Sequence, residues 1–153
     1  MAFRRLSGKT KIMYFKKDTT ELIKDGSLVT FNLDSGQIVR VGNDSDDKIV
    51  GVARQAAALA DSGYYPVEVP VENAVEWEID LDSDGGAADS DVGKLVNVDT
   101  TGGNTFAAGD SAGLRVDISD SLSGSVLVTR RISATKIVGV LAGNSAFNQQ
   151  MDT

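Results

Sequence analysis

The chain has no cysteine and no histidine among its 153 residues, and only 2 prolines and 1 tryptophan. Without cysteine there are no disulfides and no thiolate nucleophiles. Without histidine as well, zinc sites of the usual nitrogen and sulfur type and Ser-His-Asp triads are excluded. The side chain that titrates nearest neutral pH is also missing. A cysteine-free chain fits a reducing cytoplasm, and it equally fits a particle indifferent to redox state. No apolar run approaches the ~20 residues that a membrane-spanning helix needs. The basic N-terminus is not followed by the apolar stretch of a secretory signal. A soluble protein that makes no use of a membrane is expected.

The residues that are present describe one ordinary globular domain. The apolar fraction is 41% and the mean hydropathy is -0.10, values that argue against wholesale disorder. Sixteen glycines, with abundant Ser, Thr, Asp and Asn, read as short strands separated by tight turns. One five-residue string occurs twice: Lys48-Ile49-Val50-Gly51-Val52 returns as Lys136-Ile137-Val138-Gly139-Val140. Each copy has an upstream partner of related pattern, Gly26-Ser27-Leu28-Val29-Thr30-Phe31 and Gly93-Lys94-Leu95-Val96-Asn97-Val98. The expected fold is therefore all-β, a small compact β-barrel or a sandwich, built from two related halves. The glycine inside each apolar string marks a bulge, a bend or the close approach of another backbone, or else an ordinary strand end.

Along the chain the clearest strand is Val75 to Leu81. Val75, Trp77, Ile79 and Leu81 alternate with Glu76, Glu78, Asp80 and Asp82, which predicts one core face and one acidic, solvated face. Val67, Val69 and Val71 form a shorter strand, and Pro70 favours an edge position for it. Leu114, Val116 and Ile118 alternate in the same way, and Val126 to Val128 precedes the second repeat. Only Ala53 to Ala60 has good helix propensity, and it is too short to be stable alone, so a single helix or a loop lying on the sheet is expected there, one short helix at most.

Charge is distributed unevenly. Arg4, Arg5, Lys9, Lys11, Lys16 and Lys17 lie in the first 17 positions, which hold no acid. The remainder keeps nine bases against 22 acids, a net of −13 within an overall −7. This predicts an extended basic N-terminal arm (1–17) on an acidic β-domain (18–143), followed by a polar C-terminal tail (144–153). The arm suits docking onto an acidic protein surface, with Tyr14 and Phe15 as apolar anchors among the charges. A solvated, frayed terminus is the plain alternative. Nucleic acid is not an expected partner, since phosphates would repel the acidic body.

Two groups of carboxylates invite a chemical reading. Asp80, Asp82 and Asp84, with Gly85 and then Asp91, match the oxygen-ligand positions 1, 3, 5 and 12 of a Ca²⁺ loop. Position 12 is Asp instead of the longer Glu, and the entering segment reads as strand, so a solvated turn competes with the ion. No other cofactor is implied. Glu76 and Glu78 lie about 7 Å apart along one strand face, a separation that glycosidases use. An aromatic platform is missing on that face, because Trp77 points the other way. No catalytic residue and no enzyme are expected.

The pattern "IVRVG" (38–42), "KIVGVA" (48–53), "VEVPVENAVEWEI" (67–79), "VGKLVNVD" (92–99) and "KIVGVLAG" (136–143) resembles small tailed-phage proteins that decorate or cement the capsid exterior. The resemblance spans roughly residues 25–143 and rests on apolar strands and glycines, without a catalytic signature. It implies a small β-barrel or β-tulip body, a homotrimer over local threefold axes, the major capsid protein as partner, and a place on the outer surface of a virion after synthesis in the host cytoplasm. The competing expectations are another virion component, such as a head fibre base, a head-completion or a tail protein, and a soluble ligand-binding β-module.

Overall fold

The computed structural model describes residues 3–19, 22–32, 34–40, 49–58, 60–72, 74–81, 87–99, 115–117 and 126–141. Within them the chain is all-β, with two antiparallel sheets. One has six strands: β1 (Phe3–Ser7), β7 (Glu76–Asp80), β11 (Lys136–Leu141), β10 (Val126–Ser133), β8 (Leu95–Asp99) and β9 (Arg115–Asp117), in that spatial order. The other has five: β2 (Thr10–Lys16), β6 (Tyr64–Pro70), β5 (Ile49–Ala53), β3 (Leu28–Phe31) and β4 (Ile38–Arg40). A single 3-10 turn at Asp89–Asp91 is the helical content of the described residues.

Both copies of the repeated string become interior strands, β5 in one sheet and β11 in the other. In each, the glycine sits beside an irregularity in the ladder. Gly51 lies opposite Val29 and Thr30 opposite Ile49, leaving Val50 as the extra residue. Gly139 lies opposite Val128 and Arg130 opposite Val138, leaving Thr129 extra. A Cβ on Gly51 would collide with the backbone carbonyl of Glu68, and one on Gly139 would come within 2.7 Å of Val126 Cγ1. The close-approach reading of both glycines therefore holds.

Alternation along the strands builds two cores. Leu28, Ile49 and Val52 of the five-stranded sheet join Phe3, Trp77, Ile79, Val126, Val128 and Ile137 of the six-stranded sheet in the core between the sheets. Their neighbours Val29, Val50 and Ala53 point the other way and join Ile38, Val67 and Val69 in a second core, flanked by Met13, Phe15, Phe31 and Tyr65. Phe15 and Phe31 meet edge to face at 5.1 Å. A parallel bridge from Lys17 to Ile38 brings the β2 and β4 edges together, so the five-stranded sheet curls around this second core. Burying Trp77 fully removes ~150–250 Å² from water, roughly 4–6 kcal/mol at about 25 cal/mol per Å².

Two expectations are corrected, and one open choice is settled. The basic segment 1–17 is extended, but it is no separate arm, and the boundary at residue 17 has no counterpart. β1 pairs with β7 in one sheet and β2 with β6 in the other. The strands change sheets at a bulge between Arg5 and Ser7 and at Gly8 (φ +95°), whose missing side chain admits Val75. Phe3 and Lys17 are fully buried, because two strands of core contacts outweigh the pull of the charges toward water.

Of the helix and the loop expected for the segment after Val52, its described residues show the loop. Ala57 makes a bridge to Ile23, and tertiary pairing overrides the alanines' propensity. Finally, β6 is interior despite Pro66 and Pro70. The Pro66 carbonyl accepts from Arg54 N–H, so both prolines turn their missing N–H toward β5, which pairs with β6 only at Val67 and Glu68.

Candidate interaction surface

The eight residues expected to form a docking arm divide into two groups. Arg4 donates to Glu78 at 2.6 Å and Arg5 to Glu68 at 2.7 Å, the first within its own sheet and the second across to the other. Lys17 is buried, its ammonium donating to the Asp18 carbonyl at 2.6 Å. Phe15 packs inward against Phe31 and is no anchor for a partner. These four serve the fold. The other four remain on the surface: Lys9, Lys11, Tyr14 and Lys16 are exposed, and no salt bridge engages the three lysines among the described residues.

The exposed group lies along β2, an edge strand. Ile12 and Tyr14 share its outer face, 46% and 65% exposed, and register places Tyr14 opposite Pro66 and Lys16 opposite Tyr64. Tyr64, at 70%, is thus the diagonal neighbour of Tyr14 on the same face. Two exposed tyrosines and an isoleucine make an apolar patch here, with Lys16 on the same face and Lys11 turned to the opposite face by the pleat. Sequence reading marks the apolar run Ile12 to Phe15 as an edge strand or an anchor, and it missed Tyr64. The run Ile12 to Phe15 looks uniformly apolar until the pleat splits it, and Tyr64 joins the patch only through β2–β6 register.

Glu68 and Arg54 were likewise not singled out from sequence. Glu68 accepts from Arg5 Nε at 2.7 Å, Arg54 Nε at 2.6 Å and Thr10 Oγ1 at 2.7 Å, with a side chain only 8% exposed. Burial pushes its carboxyl pKa up, but the Thr10 hydroxyl and the Arg54 and Arg5 guanidiniums outweigh that and hold it below the usual value. Arg54 also donates to the Phe3 carbonyl at 3.2 Å and lies 5.8 Å over the Trp77 ring. One carboxylate thus ties β1, β2, β5 and β6 together where the sheets meet. A signal was available: a lone acid between Val67 and Val69 in an apolar strand needs a buried cation.

The carboxylate pair Glu76 and Glu78 does not suit acid catalysis. Hydrogen bonding from Arg4, with Lys136 adding to it against a modest effect of burial, lowers the Glu78 pKa. A general acid at neutral pH needs the opposite shift. Glu76 accepts from Ser7 Oγ at 3.1 Å. The notch between Arg4, Glu78, Asp80 and Lys136, about 260 Å³, is lined by charges already engaged with one another.

For the expected Ca²⁺ ligands, Asp82 and Asp84 lie outside the described residues. Asp91 accepts from Lys94 Nζ at 2.7 Å and from Ala88 N–H at 2.8 Å, and these two bonds, Lys94 first, hold its pKa down. Asp80 has Lys136 Nζ at 3.8 Å. Asp91 therefore already has a cation and a backbone donor, and its two oxygens close the 3-10 turn. Among the described residues no cluster of three or more carboxylates is placed to hold a metal ion.

The chain matches no known family model and no curated protein. Functional inference therefore rests on the chain's own chemistry. An open cleft of about 680 Å³ lies between the 22–25 and 56–61 segments, floored by Ile23, Ala56 and Ala57 and flanked by Lys24, Asp25 and Asp61. It is shallow and carries few convergent polar groups, unlike an enclosed small-molecule site. Set beside it, the β2 edge is the surface with both exposed aromatic area and unbalanced charge.

Proposed function

We propose that this chain is a structural virion protein that binds the outside of an icosahedral phage capsid and stabilises the shell, as trimers at local threefold axes. The observation that carries the reading is the charge layout: lysines that no salt bridge engages among the described residues, gathered on one edge of an otherwise acidic β-body. Lys16 beside Tyr14 on one face of the β2 edge, Lys11 on the other face and Lys9 just before the strand surround an exposed aromatic side chain with cations, a combination that suits a protein interface. The resemblance of the strand-and-glycine pattern to decoration proteins points the same way. So does the direction of the Glu78 shift, which leaves the best carboxylate pair unsuited to acid catalysis.

The mechanism is mass action. A ligand that binds the closed shell and not its separated subunits raises the shell's apparent stability. Several weak contacts per trimer add through effective concentration, so no single contact need be strong. The partner is the major capsid protein, through an acidic surface, and no chemistry is performed.

The test is reconstitution. Purified chain is added to shells that lack it, and bound protein and shell melting temperature are measured together. Saturable binding with a raised melting temperature is expected. Binding by Lys9→Glu, Lys11→Glu and Lys16→Glu combined should be lost while the variant stays folded. Unchanged occupancy by that triple variant would contradict the assignment of the surface. No binding by the native chain would contradict decoration itself and favour a vertex, fibre or tail role.

A further inference from the structure

We propose that one face of β2 and β6, where Ile12, Tyr14, Pro66 and Tyr64 lie together, is a docking ledge for an extended acidic segment of the partner protein. The identity of that partner rests on the decoration reading. The ledge specifies which surface binds it and what chemistry that surface takes.

Register shows where the ledge comes from. Leu28 lies opposite Val52, Val52 opposite Glu68, and Glu68 opposite Ile12. One row of side chains thus crosses β3, β5, β6 and β2 on a single face. Leu28 and Val52 are buried in the core between the sheets, whereas Ile12 at the end of the row is exposed. The six-stranded sheet covers this face only as far as β1, its last strand among the described residues, whose Arg5 reaches Glu68. Past β1 the same face continues uncovered. The next two rows stand on it, Pro66 opposite Tyr14 and Tyr64 opposite Lys16. The ledge is therefore an open flank of the inter-sheet core, which is why two exposed tyrosines and an exposed isoleucine meet there.

Its charge selects the occupant. Glu68, at the inner border, has both oxygens engaged: Oε1 accepts from Arg54, and Oε2 accepts from Arg5 and Thr10. Asp61 precedes Tyr64 in the chain, but it lines the cleft beside the second core and accepts from Ala58 N–H. Arg5 stays partly exposed at one end of the ledge. At the other end no salt bridge engages Lys16 among the described residues. Apolar area between cations is complemented by a segment that carries carboxylates beside an apolar side chain. Two strands wide and as long as β2, the ledge measures roughly 10 Å by 20 Å, room for about six extended residues. One such contact is far smaller than the ~1,200 Å² of a stable interface, so occupancy depends on several ledges engaging at once, as in a trimer. Lys11 lies on the opposite face and Lys9 precedes the strand, so Lys16 carries the effect of reversing all three lysines.

Chemical footprinting of the native full chain tests it. Shells that lack the chain are saturated with it, lysines are acetylated and tyrosines nitrated with and without shells, and the modified sites are read by mass spectrometry. Tyr14, Tyr64 and Lys16 should lose reactivity on the shell while Lys11 keeps it. Lys16→Glu alone should weaken shell binding about tenfold or more, and so should Tyr14→Ser combined with Tyr64→Ser. Both variants should melt close to the native chain, because the altered side chains are exposed. Lys11→Glu should bind within about twofold of the native chain, as for a residue outside the contact. Binding that leaves Tyr14, Tyr64 and Lys16 as reactive as in the free chain would overturn the ledge and leave decoration standing. No binding by the native chain would overturn the decoration reading and the ledge with it. Protection that grows with chain concentration in the absence of shells would assign the ledge to a second copy, and would also overturn the proposal.

Discussion

The same five residues build an interior strand twice, yet the two halves surround it differently. In the five-stranded sheet the upstream partner β3 pairs directly with β5. In the six-stranded sheet the corresponding β8 does not reach β11, because β10 lies between them. The repeat thus encodes an apolar strand with a close-approach glycine, and the choice of neighbour depends on segments outside it. The halves also share a device. Each holds a carboxylate between two cations, Glu68 between Arg5 and Arg54 and Glu78 between Arg4 and Lys136. Adjacent residues of β1 supply one arginine to each, so the N-terminal strand fastens both halves at once. What separates the two sites is burial, at 8% against 15% side-chain exposure and with Arg54 far less exposed than Arg4.

Removing that shared strand should have the largest effect. Deleting residues 1–17 takes away one edge strand from each sheet, β1 and β2, together with the Phe3 plug, and the protein should lose its cooperative unfolding transition by calorimetry. A truncated chain that melts like the native one would return the segment to the status of a free arm.

The two glycines come next. Alanine at Gly51 meets backbone, the Glu68 carbonyl, whereas alanine at Gly139 first meets the movable Val126 side chain. Urea titration should show Gly51→Ala losing more stability than Gly139→Ala, whose cost should fall within the ~1–3 kcal/mol typical of overpacking. The reverse order would mean that β11, not β5, is the tighter crossing.

The two carboxylates should differ in the same direction. Glu68→Gln breaks a buried pair and should cost on the order of 3 kcal/mol. Glu78→Gln should cost about 1 kcal/mol or less, as for an exposed pair. Both carboxyls titrate lower when folded than unfolded. Their contribution is therefore complete above the unfolded value of about 4.5 and fades as pH falls through the lower folded value. Acid titration of the denaturation midpoint should show a shallower loss for Glu68→Gln than for the native chain. Equal slopes would remove Glu68 from the acid response. Smallest of all is calcium: because Lys94 already neutralises Asp91, excess Ca²⁺ against chelator should leave the melting temperature unchanged, and a rise of several degrees would restore the loop as a site.

Much of the architecture was legible where the signal is local. The alternation of Val75, Trp77, Ile79 and Leu81 gave β7 its buried face, and the repeated string marked both interior strands and their tight glycines. The losses are non-local. The Arg5 partner lies 63 residues away at Glu68, so six early cations read as an arm when three of them, Arg4, Arg5 and Lys17, are held by the fold. Pro70 suggested an edge because its neighbour's short ladder is invisible in sequence. The alanines after Val52 suggested a helix because their pairing with Ile23 spans more than 30 positions. The candidate surface suffered most: Tyr64 becomes the neighbour of Tyr14 through β2–β6 register alone, which no local pattern shows.

The central claim is that this chain coats a shell, and quantitative mass spectrometry of purified particles from its source tests that most directly. The account predicts a copy number comparable to that of the major shell protein. Complete absence from the particles would contradict it.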